Sequence, residues 1–126
     1  CHARLGDQDR ARAYCESALN LCRQHDDLYG QADNLDALGA IATHTHQHAE
    51  AARNYEQAFA LWSTIDNTYR QADTLANLGR AQASLGHHEK AHTSWRQAID
   101  LYRLQNRDTE ADQTERLLAD NASALG

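Results

Sequence analysis

The stretch YGQADNLDALG at residues 29–39 returns as YRQADTLANLG at residues 69–79, an offset of 40. Aligned over 29–68 and 69–108, the two segments share twelve identical positions of forty. The identities are patterned rather than scattered. Ala32, Asp33, Leu35, Leu38 and Gly39 match Ala72, Asp73, Leu75, Leu78 and Gly79, while Ala51, Gln57, Ala58 and Leu61 match Ala91, Gln97, Ala98 and Leu101. One more step back finds Ala11, Ala18 and Leu21, with Cys15 where the later copies carry Tyr55 and Trp95. The pattern divides a single domain, 1–126, into a truncated first repeat at 1–28, full repeats at 29–68 and 69–108, and a terminal capping helix at 109–126.

Each full unit reads as two helices. In the first, Leu35, Leu38, Gly39 and Ala42 fall at helical spacing. In the second, Ala51, Tyr55, Ala58, Phe59 and Trp62 trace the apolar stripe of an amphipathic helix. Gly39 and Ala51 are expected where two backbones approach closely, with Tyr55 or Trp95 filling the space beside the contact. Trp62 and Trp95 are read as core, and Tyr29 and Tyr69 as packing between repeats. Turns are expected at Leu5-Gly6-Asp7, Leu85-Gly86-His87, Asp26-Asp27, Asp66-Asn67-Thr68 and Asn106-Arg107-Asp108. Gly6 and Gly86 suit left-handed caps, and the Asp, Asn and Thr residues suit N-caps. His46 stands where the glycine would be in the middle repeat, which predicts a looser turn there.

Composition supports an all-α class. The chain of 126 residues has no Val, Pro or Met, and Ile occurs only at 41, 65 and 99. A formal net charge of −6 excludes duplex nucleic acid as a direct partner, because phosphate binding needs a basic face. No apolar run approaches the roughly 20 residues of a membrane span, and no segment resembles a signal peptide. Eleven of twelve basic side chains are Arg, which reads as a GC-rich bacterial coding sequence. The chain starts within an apparent helix, so a fragment of a larger protein is expected. Cys15 and Cys22, seven apart on one helix, lie too far along the axis for a disulfide, and buried, reduced thiols of a cytoplasmic protein are expected.

Leu38-Gly39 followed by Ala51, Tyr55 and Ala58, and Leu78-Gly79 followed by Ala91, Trp95 and Ala98, together resemble the tetratricopeptide repeat pattern. The resemblance covers roughly residues 1–108. The period of 40 exceeds the family's usual length of about 34, and Ser63 and Arg103 stand where a closing proline is common. Units of this longer kind look like those of kinesin light chain and the spindle-orientation scaffolds. The Ala- and Arg-rich wording is similar to the C-terminal repeat regions of actinobacterial antibiotic-regulatory transcription activators.

The resemblance implies a right-handed α-solenoid whose first helices line a concave groove. On that reading the groove carries Asp33, Asp36, Ala37, Ala40, Thr43 and His44 from one repeat. The next contributes Asp73, Ala76, Asn77, Arg80, Ala83 and Ser84. Asn77 could bind a peptide backbone. A Lys-and-Asn clamp for chaperone C-termini is excluded, because the matching positions hold Asp36 and Ala40, then Ala76 and Arg80. Asp33, Asp36 and Asp73 favour a basic peptide or helix, with Arg80 accepting one acidic contact, or else Asp33 and Asp73 serve the helix N-terminal turn through its dipole. The implied function is non-catalytic protein–protein recognition, with no cofactor and no metal.

Two alternatives stay open. One is a regulatory or self-associating module of a larger bacterial transcription regulator. The other is a metal or small-ligand sensor built on His44, His46 and His48 or on His87, His88 and His92. His44/His48 and His88/His92 have the i, i+4 spacing that chelates zinc or nickel on a helix. HTHQH straddles an expected turn, however, and no Cys or carboxylate pair completes either set, so these histidines are read as exposed loop residues. No phosphate loop, nucleophile elbow or His-Glu-x-x-His motif is present. Cys15 aligns with buried aromatics and is not expected to act as a nucleophile.

Overall fold

The computed structural model describes residues 2–125, and side chains from Asp9 to Ala122. Cys1 lies outside this range. Six helices follow one another: α1 (His2–Gln24), α2 (Leu28–His44), α3 (His48–Thr64), α4 (Thr68–Ser84), α5 (His88–Leu104) and α6 (Asp108–Leu125). Among the described residues there is no strand.

The chain keeps a metre of 20 residues. Asp26, His46, Asp66, Gly86 and Asn106 all adopt positive φ, between 54° and 82°. At each, the next backbone N–H reaches back to a carbonyl five residues earlier, as Gln47 N to Ala42 O at 2.8 Å and His87 N to Gln82 O at 2.9 Å. This is the Schellman closure of a helix C-terminus, in which one left-handed residue lets the chain reverse. Two expectations are corrected here. The His46 turn is not looser than the Gly86 turn, because both make the same pair of hydrogen bonds. Asp26, Asp66 and Asn106 are the left-handed residues themselves, since Asn and Asp tolerate that region better than most side chains. Capping falls one residue later. Asp27 Oδ1 accepts from Gly30 N at 3.0 Å, and Asn67 Oδ1 accepts from Arg70 N at 3.1 Å.

The turn expected at Leu5-Gly6-Asp7 is absent, because α1 runs through Gly6. A glycine inside a helix costs only about 1 kcal/mol relative to alanine, which a helix of 23 residues tolerates.

Packing is sequential. Each helix contacts its neighbours in the chain, and the buried side chains form three staggered clusters. Leu19 of α1 packs with Ala32 and Leu35 of α2 and with Ala58 and Trp62 of α3. Ala42, Ala51, Ala52 and Tyr55 then meet Leu78 and Ala81 of α4. Finally Ala72, Leu75 and Ala76 meet Ala98 and Tyr102 of α5 and Ala111 of α6. Among the described residues there is no central core; each layer is closed by the next, as a helical repeat solenoid requires. Ala32, Ala42, Ala51, Ala58, Ala72, Ala91 and Ala98 are fully buried. Side chains of one methyl let the helices approach closely, and the large rings of Trp62, Trp95, Tyr55 and Tyr102 supply most of the apolar area.

Cys15 and Cys22 are both free, and half-buried rather than buried. Cys15 occupies the register that holds Tyr55 and Trp95 in α3 and α5, but α1 packs chiefly against α2, so its other face stays open.

Candidate functional site

The Leu-Gly pair of each repeat makes room for a ring. A Cβ on Gly39 would lie 2.7 Å from the ring carbons Cε1 and Cζ of Tyr55, and one on Gly79 would lie 2.5 Å from Cδ1 of Trp95. Both positions therefore admit no side chain while the aromatics keep their places. Trp95 is held further by its indole N–H, which donates to the Ala76 carbonyl at 3.2 Å within the buried layer. Glycine thus lets each second helix thrust an aromatic beneath the first helix of its own pair.

Tyr55 reaches through to a surface. Its ring forms part of a shallow cavity of about 210 Å³, walled by Ala40, Thr43 and His44 of α2 and by Asn77 and Arg80 of α4. Positions from two successive repeats converge here because α2 and α4 both lie against α3. Burial pushes the Tyr55 phenol up, with the neighbouring Thr43 opposing it. Ser84, exposed at the last turn of α4, does not line this cavity.

The aspartates have partners of their own. Asp36 is largely covered; it accepts the Trp62 indole N–H at 2.8 Å and the Thr74 hydroxyl at 2.9 Å. Arg70 pairs with Asp33 at 2.8 Å and with Asp36 at 3.4 Å, and its guanidinium lies 4.6 Å from the Trp62 ring centre. Burial pushes the Asp36 carboxyl up, although Trp62, Thr74 and Arg70 all favour its charged form. One repeat later, Arg107 pairs with Asp73 at 2.8 Å, and the Tyr102 hydroxyl donates to the same carboxylate at 2.8 Å. Arg107 also covers the Tyr69 and Tyr102 rings at 3.7 and 4.7 Å. Two clasps of one design therefore bind consecutive repeats: a carboxylate on one first helix, an aromatic on the second helix, and an Arg at the start of the next. Tyr29 joins the earlier clasp edge-on to Trp62, at 5.0 Å between ring centres.

The sequence shows Asp33 and Asp73 as a repeated pair but not their arginines. Arg70 and Arg107 fall at different repeat positions, the second at the cap before α6. Gln31 and Gln71, by contrast, repeat in register, and each donates to the carbonyl of a residue near the end of the preceding second helix, Cys22 and Trp62.

The histidines divide. His44 ends α2, His46 is the left-handed turn residue and His48 begins α3, so these three do not share a helix face. His88 and His92, expected as exposed loop residues, instead sit half-buried on α5 and meet Asn121 of α6. No group of three or more His, Cys, Asp or Glu side chains among the described residues is placed to hold a metal. Burial, then the nearby Asp33 and Glu16 charges, raise the Cys15 thiol, which disfavours a nucleophilic thiolate.

A search of curated proteins finds no significant match. A tetratricopeptide repeat family model matches residues 31–104, more than half of the chain, and a second tetratricopeptide repeat model matches residues 1–25. Repeats of this kind are generally protein–protein interaction modules. Helical pairs in fixed register, with Leu-Gly seated on an aromatic at each step, place this chain in the tetratricopeptide repeat family.

Proposed function

We infer that this domain is a non-catalytic recognition module that holds a segment of a partner protein across α2 and α4. The observation that carries the reading is the cavity where Ala40, Thr43, His44, Asn77 and Arg80 come together over Tyr55. It offers an apolar floor and several outward hydrogen-bonding groups, the composition that orients a peptide. The charge of the partner follows from which groups are already matched. Asp33, Asp36 and Asp73 serve the inter-repeat clasps, whereas Arg80 has no acidic partner among the described ion pairs. The fitting segment therefore presents carbonyls and a carboxylate to Asn77 and Arg80, a revision of the basic partner suggested by counting aspartates. Free thiols at Cys15 and Cys22 suit a cytoplasmic setting.

A displayed random-peptide library selected against the domain tests this. Selected peptides should be enriched in Asp, Glu or a free C-terminus, and should lose about tenfold or more in affinity for Asn77→Ala/Arg80→Ala, since one charged hydrogen bond is worth roughly 1.5–3 kcal/mol. Peptides that bind this variant as well as the parent domain would place recognition elsewhere.

A further inference from the structure

We propose that His88, His92 and Asn121 form a binding site for a late first-row divalent cation, of the Ni²⁺ and Cu²⁺ class, that joins α5 to α6. His88 and His92 are one turn apart on α5, so both rings lie on one face of the helix. Their nitrogens converge on a single point. His88 Nδ1 lies 3.1 Å and His92 Nε2 lies 2.8 Å from Asn121 Oδ1, which reaches across from α6.

Those separations have a meaning in coordination geometry. Metal–imidazole bonds of about 2.05 Å place neighbouring ligand atoms about 2.9 Å apart at right angles and about 3.3 Å apart in a tetrahedron. The observed 3.1 and 2.8 Å are those of imidazole hydrogen bonds to the amide oxygen, and they bring each ring nitrogen about as close to that oxygen as neighbouring ligand atoms stand around a cation. Nitrogen-rich tetragonal sites favour Cu²⁺ and Ni²⁺, and the same order of affinities ranks them above the earlier divalent metals. Water completes the shell on the open side. To bind, each ring turns a lone pair towards the cation and carries its proton on the other nitrogen, so the neutral rings change tautomer without releasing a proton.

The second ring is pre-positioned. His92 stacks on Trp95 with ring centres 6.2 Å apart and planes inclined by 26°, and Trp95 is itself seated on Gly79. One ligand is therefore fixed by the same packing that defines the repeat, which lowers the ordering entropy of binding. The three histidines at 44, 46 and 48 lack such a convergence, because a left-handed turn separates them.

Calorimetry of the tag-free, chelator-stripped chain with NiCl₂ and CuCl₂ is the test. One cation should bind per chain, and Trp95 emission should be quenched by the adjacent paramagnetic ion. His88→Ala and His92→Ala should each weaken binding by at least the roughly 10–100-fold seen when a mere supporting partner of a metal ligand is lost. The variant His44→Ala/His46→Ala/His48→Ala should bind as the parent does. Failure of the parent chain to bind either ion below about 1 mM overturns the proposal, as does undiminished binding by His88→Ala/His92→Ala. A measurement on the unmutated chain guards against misfolded variants. Ni²⁺ should broaden amide resonances around 88–92 and 121, and broadening centred on His46 and His48 would place the cation at the wrong cluster.

Discussion

Replacing Gly79 by alanine sets two effects of known size against each other. In an isolated helix the change stabilises by about 1 kcal/mol, because alanine loses less backbone entropy. In this protein the new methyl would lie 2.5 Å from Cδ1 of Trp95 and 2.9 Å from Cε2. The indole cannot give way freely: it is 2% exposed and its N–H is bound to the Ala76 carbonyl at 3.2 Å. Forcing a methyl into a filled layer costs about 1–3 kcal/mol, and losing the indole hydrogen bond adds about 1 kcal/mol. The net is a destabilisation of about 2 kcal/mol, or roughly 8 °C in Tm for a domain of this length. Calorimetric melting measures it. In a Trp95→Leu background the steric term disappears, and the same Gly79→Ala change should be neutral or stabilising. A higher Tm for Gly79→Ala in the parent chain would refute the reasoning, and so would an equal loss in both backgrounds.

Arg107→Ala leaves Asp73 with only the Tyr102 hydroxyl and uncovers two rings; a loss of about 2 kcal/mol is expected. Faster amide exchange in α6 than in α2–α4 should reveal it. Burial, then the hydrogen bond to Asp73, hold the Tyr102 phenol well above its usual range. The folded state then keeps a proton that the unfolded chain releases near pH 10, so stability falls as pH rises beyond that point. Tyr102→Phe should flatten this alkaline slope, leaving a residual part from Tyr55, whose phenol is also raised by burial. Asn67→Ala removes the cap on Arg70 N and should cost about 1 kcal/mol by denaturant titration.

The repeat unit was legible because its signals are local. Apolar stripes such as Ala51, Tyr55, Ala58 and Trp62 depend only on helical periodicity, and the structure buries all four. The Leu-Gly pairs announced a close approach with Tyr55 or Trp95 beside it, and the structure seats each ring directly against its glycine. Except at Leu5-Gly6-Asp7, the turns were legible in position, and their N-caps were legible at Asp27 and Asn67. Asp26, Asp66 and Asn106 look like caps by composition, but the 20-residue metre gives each the left-handed conformation, and Asp27 and Asn67 cap the helices that follow the first two.

Charge pairing was the property least legible in the sequence. Asp33, Asp36 and Asp73 occupy groove positions by repeat register, and their number suggests an acidic surface. Their partners Arg70 and Arg107 sit about 34–37 residues away at unequal repeat positions, so no alignment of the units pairs them. Likewise the spacing of His88 and His92 was visible, while the third donor, Asn121, comes from a helix outside the repeat. By itself the sequence determined that helical hairpins of this register would form, since that rests on periodicity and on which residues bend the chain. Which side chains face each other across successive helices, and hence which charges remain for a partner, was decided only when the layers stacked. Coulombic and hydrogen-bond energies depend on distance through space, and no interval along the chain encodes that.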